Sequence, residues 1–422
     1  MKGLKKPPLF VKILFGMVLG ITLGLIAIWL NFDKFCTEWI VPLGTIFIRL
    51  LKLIAVPLVF ISLIKGIGSL HNIRNLSTLG LKTLALYLAT TIIAVVFGFI
   101  MVSSIKPGRF FPQDKSEELL SYYSENTNNI NAVQTEMSPM QFIVDIVPEN
   151  IFAAFGSNTN MLQVIFVAII FGVAIVIIGK EKTKTVMKFV DEANDIILKI
   201  IDIIMSFAPI GVLALMLGLI IDFSGDVGLF ASLGMYAFTV IISLFILILL
   251  FYPLLLKLFT KKKIKKFFKA MLPAQVLAFS TSSSAATLPV TMRQVEDELD
   301  ISKETSSFVL PVGVTINMDG TSCYQIIAAV FLAQIMGLEL SLTQIFVICI
   351  TTVISSIGTP GIPGGSVVIL MMVLNSVGIP AEGLALILGI DRPLDMLRTV
   401  VNVTGDATVA CIVDNKKEKA AL

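Results

Sequence analysis

Long apolar segments, separated by short polar ones, make up the amino-terminal part of the chain. Each is long enough to supply the roughly 20 residues with which an α-helix crosses a bilayer. The segments run over residues 9–30, 39–70, 81–105, 140–178, 196–221 and 229–259. The pattern predicts six membrane-spanning helices before the chain becomes irregular. Prolines lie inside several of them, and we expect kinks or breaks at Pro42, Pro57, Pro148 and Pro209.

From Phe267 onward the apolar segments become too short for simple spanning helices. Residues 269–279 and the short segment after the serine run at 280–284 form two arms around a polar tip. Residues 342–356 and 367–377 form another pair, around a tip rich in glycine and proline. Each pair predicts a re-entrant hairpin. Between them lies a segment over residues 306–337, interrupted at 317–321. We expect the hairpins to open from opposite faces, as inverted repeats whose tips meet near the bilayer midplane.

The last apolar segment, residues 385–413, carries charged side chains inside a span. Its polar residues are Asp391, Arg392, Asp395, Arg398, Asn402 and Asp406. On a helix with about 100° per residue, all of them except Arg392 fall within about 80° of one another. Because a charge in lipid costs about 2.5–3.5 kcal/mol even on insertion scales, this stripe must face protein or trapped water. A structural ion-pair seam is the alternative, although three carboxylates against two guanidiniums leave an excess of one sign.

Composition places the chain among polytopic membrane proteins. Of 422 residues, 56% are hydrophobic and 14% are charged, and the mean hydropathy is +0.92, whereas soluble domains carry about 25% charged residues. The first apolar segment is longer than a signal-peptide core and no small-residue cleavage site follows it, so we expect it to remain as a helix. Four cysteines without CxxC spacing indicate neither a disulfide framework nor a zinc site. The net charge of +3 lies in short loops and indicates no nucleic-acid partner.

The polar connections between the apolar segments alternate in charge. Lysine-rich connections lie near residues 2–6, 180–188, 261–266 and 416–419, and acidic ones near 33–38, 114–136 and 222–226. By the positive-inside rule, both termini face the cytoplasm, and the chain is a multi-pass protein of the cytoplasmic membrane. Residues 107–138, rich in Ser, Asn, Glu and Gln, are expected to form an outside loop.

The interrupted segment and the hairpin tips carry the candidate chemistry. Unwound backbone at membrane depth is tolerated only where it lines a cavity. Its carbonyl oxygens suit a small hard cation, and exposed amides at the serine tip suit an anion. Four aspartates in the interrupted segment and the last helix outweigh two arginines by two charges. Cations must therefore bind there, or some carboxylates must be protonated.

Short motifs, which follow one another in a fixed order along the chain, resemble those of a known protein family. They are SSSAATLP at residues 282–289, NMDGT at 317–321, SIGTPGIPG at 356–364, DMLRT at 395–399 and NVTGD at 402–406. They resemble the glutamate/aspartate transporter family of cation-coupled symporters for dicarboxylates and acidic amino acids, as a prokaryotic homologue would. The resemblance covers essentially the whole chain. It implies an all-α homotrimer whose subunits each have eight transmembrane helices and two re-entrant hairpins. It also implies an elevator-type mechanism, in which a transport domain slides against a trimeric scaffold.

The resemblance further implies a division of the chain. Scaffold helices 1 and 2 would occupy residues 1–80, and scaffold helices 4 and 5 residues 139–224. Helix 3 of the transport domain would occupy residues 81–106, followed by the extracellular loop at 107–138. The rest of the transport domain, residues 225–422, would contain helix 6, hairpin 1 at about 267–300, broken helix 7, hairpin 2 at about 342–378 and helix 8.

Carried over residue by residue, the resemblance implies a site for L-aspartate or L-glutamate. Arg398 would hold the side-chain carboxylate, for which a guanidinium fork is well shaped. Asp395 and Thr399 would take the amino group, and Asn402 and the hairpin tips would hold the α-carboxylate. The substrate-binding residues implied are Ser282, Ser283, Ser284, Thr321, Ile362, Ser366, Asp395, Arg398, Thr399 and Asn402.

Three Na+ sites follow from the same resemblance, with H+ as the alternative coupling ion. The first would be formed by Gly313, Asn317, Asn402 and Asp406. The second would be formed by Thr315, Met318, Ser356, Ile357 and Thr359. The third would be formed by Tyr87, Thr90, Thr91, Asn317 and Asp319. Without the resemblance, the three residues of this last set that lie in the third helix would be interpreted as packing residues.

Two positions depart from the family pattern. Many relatives have a second arginine at the first hairpin tip or directly after the amino-group aspartate, where this chain has Ser282 and Met396. Arg392, one turn before Asp395, is the candidate replacement. At the second tip, Ser366 stands where relatives usually have glycine, which adds a hydroxyl near the substrate.

The predicted function is sodium-coupled uptake of acidic amino acids by a secondary transporter, not an enzyme. Its expected partners are the substrate, membrane lipid and further copies of the chain. Proton-coupled transport of glutamate, aspartate or a C4-dicarboxylate, and transport of a small neutral amino acid, are the alternatives. An intramembrane aspartyl protease would need a GxGD-type arrangement on a second helix, whereas the aspartates here lie in NMDGT and VTGD. A selective channel is a further alternative, but a channel does not need an Asp–Arg pair that binds both charged ends of an amino acid.

Overall fold

The structure, a computed structural model, describes residues 9–68, 77–112, 116, 144, 146–157, 160–222, 227–357, 359, 361 and 363–420. All regular elements within these residues are helical, as the apolar pattern predicts. The helices of the amino-terminal half are α1 (Leu9–Leu30), α2 (Asp33–Trp39), α3 (Val41–Gly68), α4 (Ser77–Ile105), α5 (Ile151–Phe155), α6 (Met161–Ile178), α7 (Lys180–Ser206) and α8 (Ala208–Asp222). The remaining helices are α9 (Val227–Ile246), α10 (Tyr252–Phe259), α11 (Ile264–Thr281), α12 (Ser284–Asp297), α13 (Lys303–Ile316), α14 (Asp319–Ile335), α15 (Leu342–Ser356), α16 (Gly365–Asn375) and α17 (Leu384–Ala420). A π-helical turn, Leu247–Phe251, joins α9 to α10.

Several of these helices are long and apolar enough to cross a membrane. Among the described residues there are five such segments, and a sixth if the bent pair α7 and α8 counts as one span. The prediction of a polytopic helical membrane protein is confirmed at this level. The bounds of α1 and α15 coincide with the predicted segments 9–30 and 342–356.

Other predicted bounds were wrong, and local chemistry explains why. Residues 180–188 were expected to be a lysine-rich loop, yet α7 begins at Lys180, because its apolar and charged residues alternate with helical spacing and leave one face for packing. By contrast, the break expected at Pro209 is confirmed, because α7 bends by 50° into α8 and Pro209 stands in the first turn of α8, where a proline ring removes no helical hydrogen bond. Within the predicted segment 140–178, the described residues include α5, whose first amides the Asn150 side chain caps, and α6, which begins at Met161. Pro57 does not interrupt α3.

Close approach of α1 to α8 depends on three glycines spaced one turn apart. A Cβ on Gly16 would lie 2.3 Å from the carbonyl oxygen of Pro209, and one on Gly20 would lie 2.4 Å from that of Leu213. A Cβ on Gly24 would lie 2.7 Å from the Cβ of Ile220 in α8. Small residues at this spacing let two membrane helices approach until their backbones touch. The α3 helix packs beside this pair, against α6, α7 and α8.

Helices α14 and α17 form the centre of a second group of packed helices. Nearly every residue of α14 is buried, and α4, α9, α15, α16 and α17 surround it. The chain is unwound only at Asn317 and Met318, between α13 and α14, so the predicted interruption at 317–321 is shorter than expected. Two residues, Ser282 with φ of 51° and Ser283 in extended conformation, turn the chain from α11 into α12. The α15–α16 pair has its tip beside this turn.

Candidate functional site

The tips of the two helix pairs are hydrogen-bonded to each other. The Ser283 hydroxyl donates to the carbonyl oxygen of Gly361 at 2.7 Å, and the Ala285 amide donates to the same oxygen at 3.2 Å. The Ser283 oxygen also accepts from the Ala286 amide at 3.1 Å, so this side chain caps α12. One carbonyl thus joins the two tips, and any route between the tips requires these bonds to break.

A small polar cavity lies beneath the joined tips. Its volume is about 10 Å³, which is room for about one water molecule. The hydroxyls of Ser282 and Ser366 are buried there without a hydrogen-bond partner. The lining residues, most of which belong to the predicted substrate set, are Ser282, Ser284, Met318, Thr321, Thr359, Gly361, Ser366, Asp395, Thr399 and Asn402.

Four charged side chains of α17 form a continuous chain of ion pairs beside this cavity. Arg398 Nη1 donates to Asp391 Oδ1 at 2.8 Å, and Arg398 Nη2 lies 2.9 Å from Asp395 Oδ1. Arg392 Nη1 donates to Asp395 Oδ2 at 3.2 Å. The guanidinium of Arg398, fully buried, also stacks 3.7 Å above the ring of Tyr324. Two carboxylates and two guanidiniums therefore neutralise one another at this level of the helix.

Tyr324 was missed by the sequence reasoning. It lies on α14, three residues after the end of the NMDGT motif, and could have been noticed as an aromatic residue about one helical turn beyond a functional motif. Nothing in its local spacing indicates that its ring lies against Arg398, which is far away in the chain.

One turn further along α17, Asn402 ties this helix to the start of α14. Its side-chain oxygen accepts from the Gly320 amide at 2.8 Å, and its amide nitrogen donates to Thr321 Oγ1 at 3.2 Å. A Cβ on Gly320 would lie 2.6 Å from the Arg398 carbonyl oxygen, so glycine is required for this approach. Thr399 donates to the Asp395 backbone at 2.8 Å, and its side chain lines the cavity.

The structure brings Gly313, Asn317 and Asp406 of the first predicted cation set together, whereas the hydrogen bonds of Asn402 go to Gly320, Thr321 and Met318. Asp406 Oδ1 accepts from Asn317 Nδ2 at 2.9 Å. A Cβ on Gly313 would lie 2.4 Å from Asp406 Oδ1 and 2.6 Å from the Tyr87 hydroxyl, so the Gly313 backbone passes directly beside both groups. The Tyr87 hydroxyl itself donates to the Val309 carbonyl oxygen at 2.9 Å.

The third predicted set meets around Asp319. Thr90 Oγ1 donates to Asn317 Oδ1 at 3.2 Å, and Thr91 Oγ1 donates to Asp319 Oδ1 at 2.9 Å. The other carboxylate oxygen of Asp319 accepts from the Tyr252 hydroxyl at 2.9 Å. Tyr252 was also missed; the available signal was a tyrosine directly before a proline in the mostly apolar residues 229–259.

The second predicted set lies where the end of α15 meets the end of α13. Ser356 Oγ donates to the Ile316 carbonyl oxygen at 3.1 Å. The hydroxyls of Thr315 and Thr359 donate to carbonyl oxygens one turn before them. Met318 and Thr359 also line the cavity, and Ile357 is the last residue before the second tip. Ile362 of the substrate set lies outside the described residues.

These oxygen atoms fit a small hard cation. The candidate ligand atoms are the oxygens of hydroxyls, of amide and backbone carbonyls and of single carboxylates. Small hard cations prefer such oxygen ligands to nitrogen or sulfur. In the part of the chain that the structure describes, no three His, Cys, Asp or Glu side chains cluster as they would for a multivalent metal.

Comparison with known proteins gives one consistent result. Residues 9–416 match the model of the sodium:dicarboxylate symporter family. The chain is 36% identical to excitatory amino acid transporter 3 of Mus musculus, over 96% of this chain and 84% of that protein. It is 35% identical to the proton/sodium-glutamate symport protein of Bacillus caldotenax, over 95% of this chain and 93% of that protein. It is 34% identical to excitatory amino acid transporter 2 of Rattus norvegicus, over 94% and 77% of the two chains.

Proposed function

The chain belongs to the sodium:dicarboxylate symporter family, and we infer that it takes up aspartate or glutamate together with Na+. It is a cation-coupled symporter of acidic amino acids, a secondary transporter and not an enzyme. The observation that carries the substrate assignment is the buried Asp395–Arg398 pair beside a polar cavity. The carboxylate of Asp395 suits the substrate ammonium, and the guanidinium of Arg398 suits a substrate carboxylate.

In this proposal the substrate enters the cavity between the tips and exchanges its charges with those of α17. The guanidinium of Arg398 takes the side-chain carboxylate in a bidentate contact, replacing part of its contact with Asp391 and Asp395. The substrate ammonium takes Asp395, and Thr399 supports it. Asn402 and the amides of the hairpin tips hold the α-carboxylate. The unpartnered hydroxyls of Ser282 and Ser366 have the donors and acceptors to complete this shell.

The ions are proposed to bind at the three oxygen-rich sets described above. Since the other two aspartates pair with the two arginines, the excess negative charge rests on Asp319 and Asp406. Their hydrogen-bond donors are the neutral side chains of Thr91, Tyr252 and Asn317. A singly anionic substrate raises the uncompensated charge to about three at a depth where each costs several kcal/mol. About three Na+ ions would compensate it, and the cycle would carry net positive charge inward.

Proton coupling, or transport of a plain C4-dicarboxylate, is the second candidate, and Arg392 favours it. A fixed positive charge bonded to Asp395 reduces the number of cations that the site needs. The name of the Bacillus caldotenax relative includes both the proton and sodium. A neutral amino acid as substrate is less consistent with a second buried guanidinium.

For the architecture, we propose eight spans and two re-entrant hairpins, with the division of residues that the resemblance implies. The packing of α1, α3, α6, α7 and α8 on one another, and of α4 and α9 with α14 and α17, supports a scaffold and a transport domain. The hairpins are α11 with α12 and α15 with α16. Contacts of α3 with α16, and of α1 and α8 with α17, would form the sliding interface of an elevator within a homotrimer. Both termini would be cytoplasmic in the cell membrane.

A sodium titration of the purified protein tests the coupling ion. Aspartate or glutamate affinity is measured by calorimetry at fixed pH while Na+ is replaced by choline at constant ionic strength. Because cation and substrate charges stabilise each other in a buried site, affinity should fall steeply as Na+ is withdrawn. Affinity that stays flat in this titration but changes with pH would replace Na+ by H+ and leave the substrate assignment intact.

A further inference from the structure

Asp395 has no free carboxylate oxygen with which to receive a substrate ammonium. Its Oδ1 lies 2.9 Å from Arg398 Nη2. Its Oδ2 accepts from Arg392 Nη1 at 3.2 Å and from the Gly364 amide at 3.3 Å. The group proposed to bind the amino end of the substrate is therefore already paired with a guanidinium of the same helix, and with the tip of the second hairpin.

The two guanidiniums that contact Asp395 are held very differently. Arg398 pairs with two carboxylates and stacks on Tyr324, and its side chain is fully buried. Among the described residues, Arg392 pairs with one carboxylate, that of Asp395, and no aromatic ring is stacked on it. Because Arg392 makes fewer contacts, displacing its guanidinium from Asp395 costs less free energy than displacing the guanidinium of Arg398.

Unfilled space lies beside the Arg392 side chain. This side chain lines a second cavity, of about 20 Å³, together with Asp391 and Gly364. The other walls come from apolar side chains of α1, α3, α7, α8, α16 and α17. Because Asp391 lines the same cavity, a guanidinium displaced from Asp395 toward this cavity moves toward another carboxylate.

We propose that Arg392 is an internal substitute for the substrate ammonium, which it replaces at Asp395 whenever that ammonium is absent. The proposal rests on the proposed function, since it names the residue that sets the substrate class of that site. An amino acid displaces the Arg392 guanidinium with its own ammonium. A C4-dicarboxylate, which has no ammonium, leaves the Arg392–Asp395 pair in place and binds beside it.

Arg392 thereby weakens the discrimination between amino acids and plain dicarboxylates. A buried carboxylate without a counter-charge is strongly unfavourable. With Arg392 present, binding of a dicarboxylate does not leave Asp395 unpaired. Without Arg392, a dicarboxylate that engages Arg398 leaves Asp395 with only what remains of its contact with Arg398, whereas an amino acid brings its own ammonium to that carboxylate. Arg392 is in this sense a specificity-determining residue that acts through Asp395.

The test compares L-aspartate with succinate, which lacks only the amino group. Dissociation constants for both are measured by calorimetry at one saturating Na+ concentration, and the readout is the ratio of the succinate constant to the aspartate constant. In Arg392→Gln this ratio should rise about tenfold or more relative to wild type, because an unpaired buried charge costs at least that much. Arg392→Lys keeps the positive charge and should hold the ratio near the wild-type value. Arg293→Gln, at an exposed arginine of α12, is the matched control.

A double variant separates charge pairing from a purely structural role. In Asp395→Asn no carboxylate remains to be paired, so adding Arg392→Gln should leave the ratio unchanged. This comparison stands even if Arg392→Gln alone fails to fold, because the double variant buries no unpaired carboxylate. A ratio that shifts about tenfold between these two variants would overturn the proposal.

Other outcomes would overturn either the role of Arg392 or the proposed function. An unchanged ratio in folded Arg392→Gln that binds aspartate would refute the role of Arg392 and leave the transporter assignment standing. The same holds for wild-type protein that binds aspartate and no succinate at all. Wild-type protein that binds neither aspartate nor glutamate would instead count against the proposed function itself.

Discussion

Helices α1 and α17 are both long enough to span a membrane, but they are buried to opposite degrees. In the most apolar window of α1 only 28% of the residues are buried inside the protein, against 89% in the corresponding window of α17. The helix that carries six charged or amide side chains between residues 385 and 413 is thus the enclosed one, and the helix without acidic residues has most of its surface facing outward. Lipid tolerates an apolar surface at no cost, whereas each charge must be covered by protein.

The two helices also use different means to pack. The α1 helix approaches α8 through Gly16, Gly20 and Gly24, and backbone contact replaces side-chain interdigitation. The α17 helix packs through polar side chains such as Asn402, which bonds to the start of α14. Contact through small residues is insensitive to ligands, whereas contact through charges changes whenever an ion or substrate arrives. We therefore expect changes in α1 to affect stability and changes in α17 to affect substrate binding.

Replacement of Arg398 should produce the largest effect. Arg398→Cys removes the guanidinium that touches both Asp391 and Asp395, and should weaken aspartate binding by about 30-fold or more, since a desolvated charge pair is worth about 2–5 kcal/mol. Binding is measured by calorimetry at saturating Na+. Arg293→Cys, at the exposed arginine of α12, is the control and should bind as wild type does. Unchanged aspartate affinity in Arg398→Cys would remove α17 from the substrate site.

A smaller effect is expected at Tyr252, which reaches the cation sets from outside α17. Tyr252→Phe removes the hydroxyl that donates to Asp319, and hydrogen bonds to charged groups contribute about 1.5–3 kcal/mol. The Na+ concentration at half-saturation of aspartate binding should change about tenfold, while aspartate affinity at saturating Na+ stays near wild type. If aspartate affinity falls equally at all Na+ concentrations, Tyr252 acts on the substrate and not on the ion.

The smallest effect, and one confined to stability, is expected in α1. Gly20→Ala places a Cβ 2.4 Å from the Leu213 carbonyl oxygen, and overpacking of this kind costs about 1–3 kcal/mol. Thermal unfolding in detergent should therefore occur a few degrees lower, with substrate affinity unchanged in the folded protein. Gly234→Ala is the matched control, because a Cβ there meets nothing within 4 Å and alanine favours a helix over glycine. Equal unfolding temperatures for the two variants would show that the α1–α8 contact tolerates expansion.

Much of the arrangement could be predicted from local patterns. The polar stripe of α17 follows from the helical period, which places Asp395, Asn402 and Asp406 on one face whatever surrounds them. The break between α13 and α14 was expected from the NMDGT motif, although its two-residue length was not. The break at Pro209 was expected, whereas the start of α7 at Lys180 was missed, because a charged helix face at a membrane surface has the composition of a loop.

The sequence alone determined that the chain spans a membrane with helices and that α17 must be enclosed, because hydropathy and helical spacing are properties of neighbouring residues. Only the tertiary structure decided which charges pair. Asp391 and Arg398 lie two turns apart on one helix, and Asp395 could have paired with either arginine or with neither. Tyr252 reaches Asp319 across 67 positions of the chain. Such contacts depend on how separate helices approach one another, and the spacing within each helix does not contain that information.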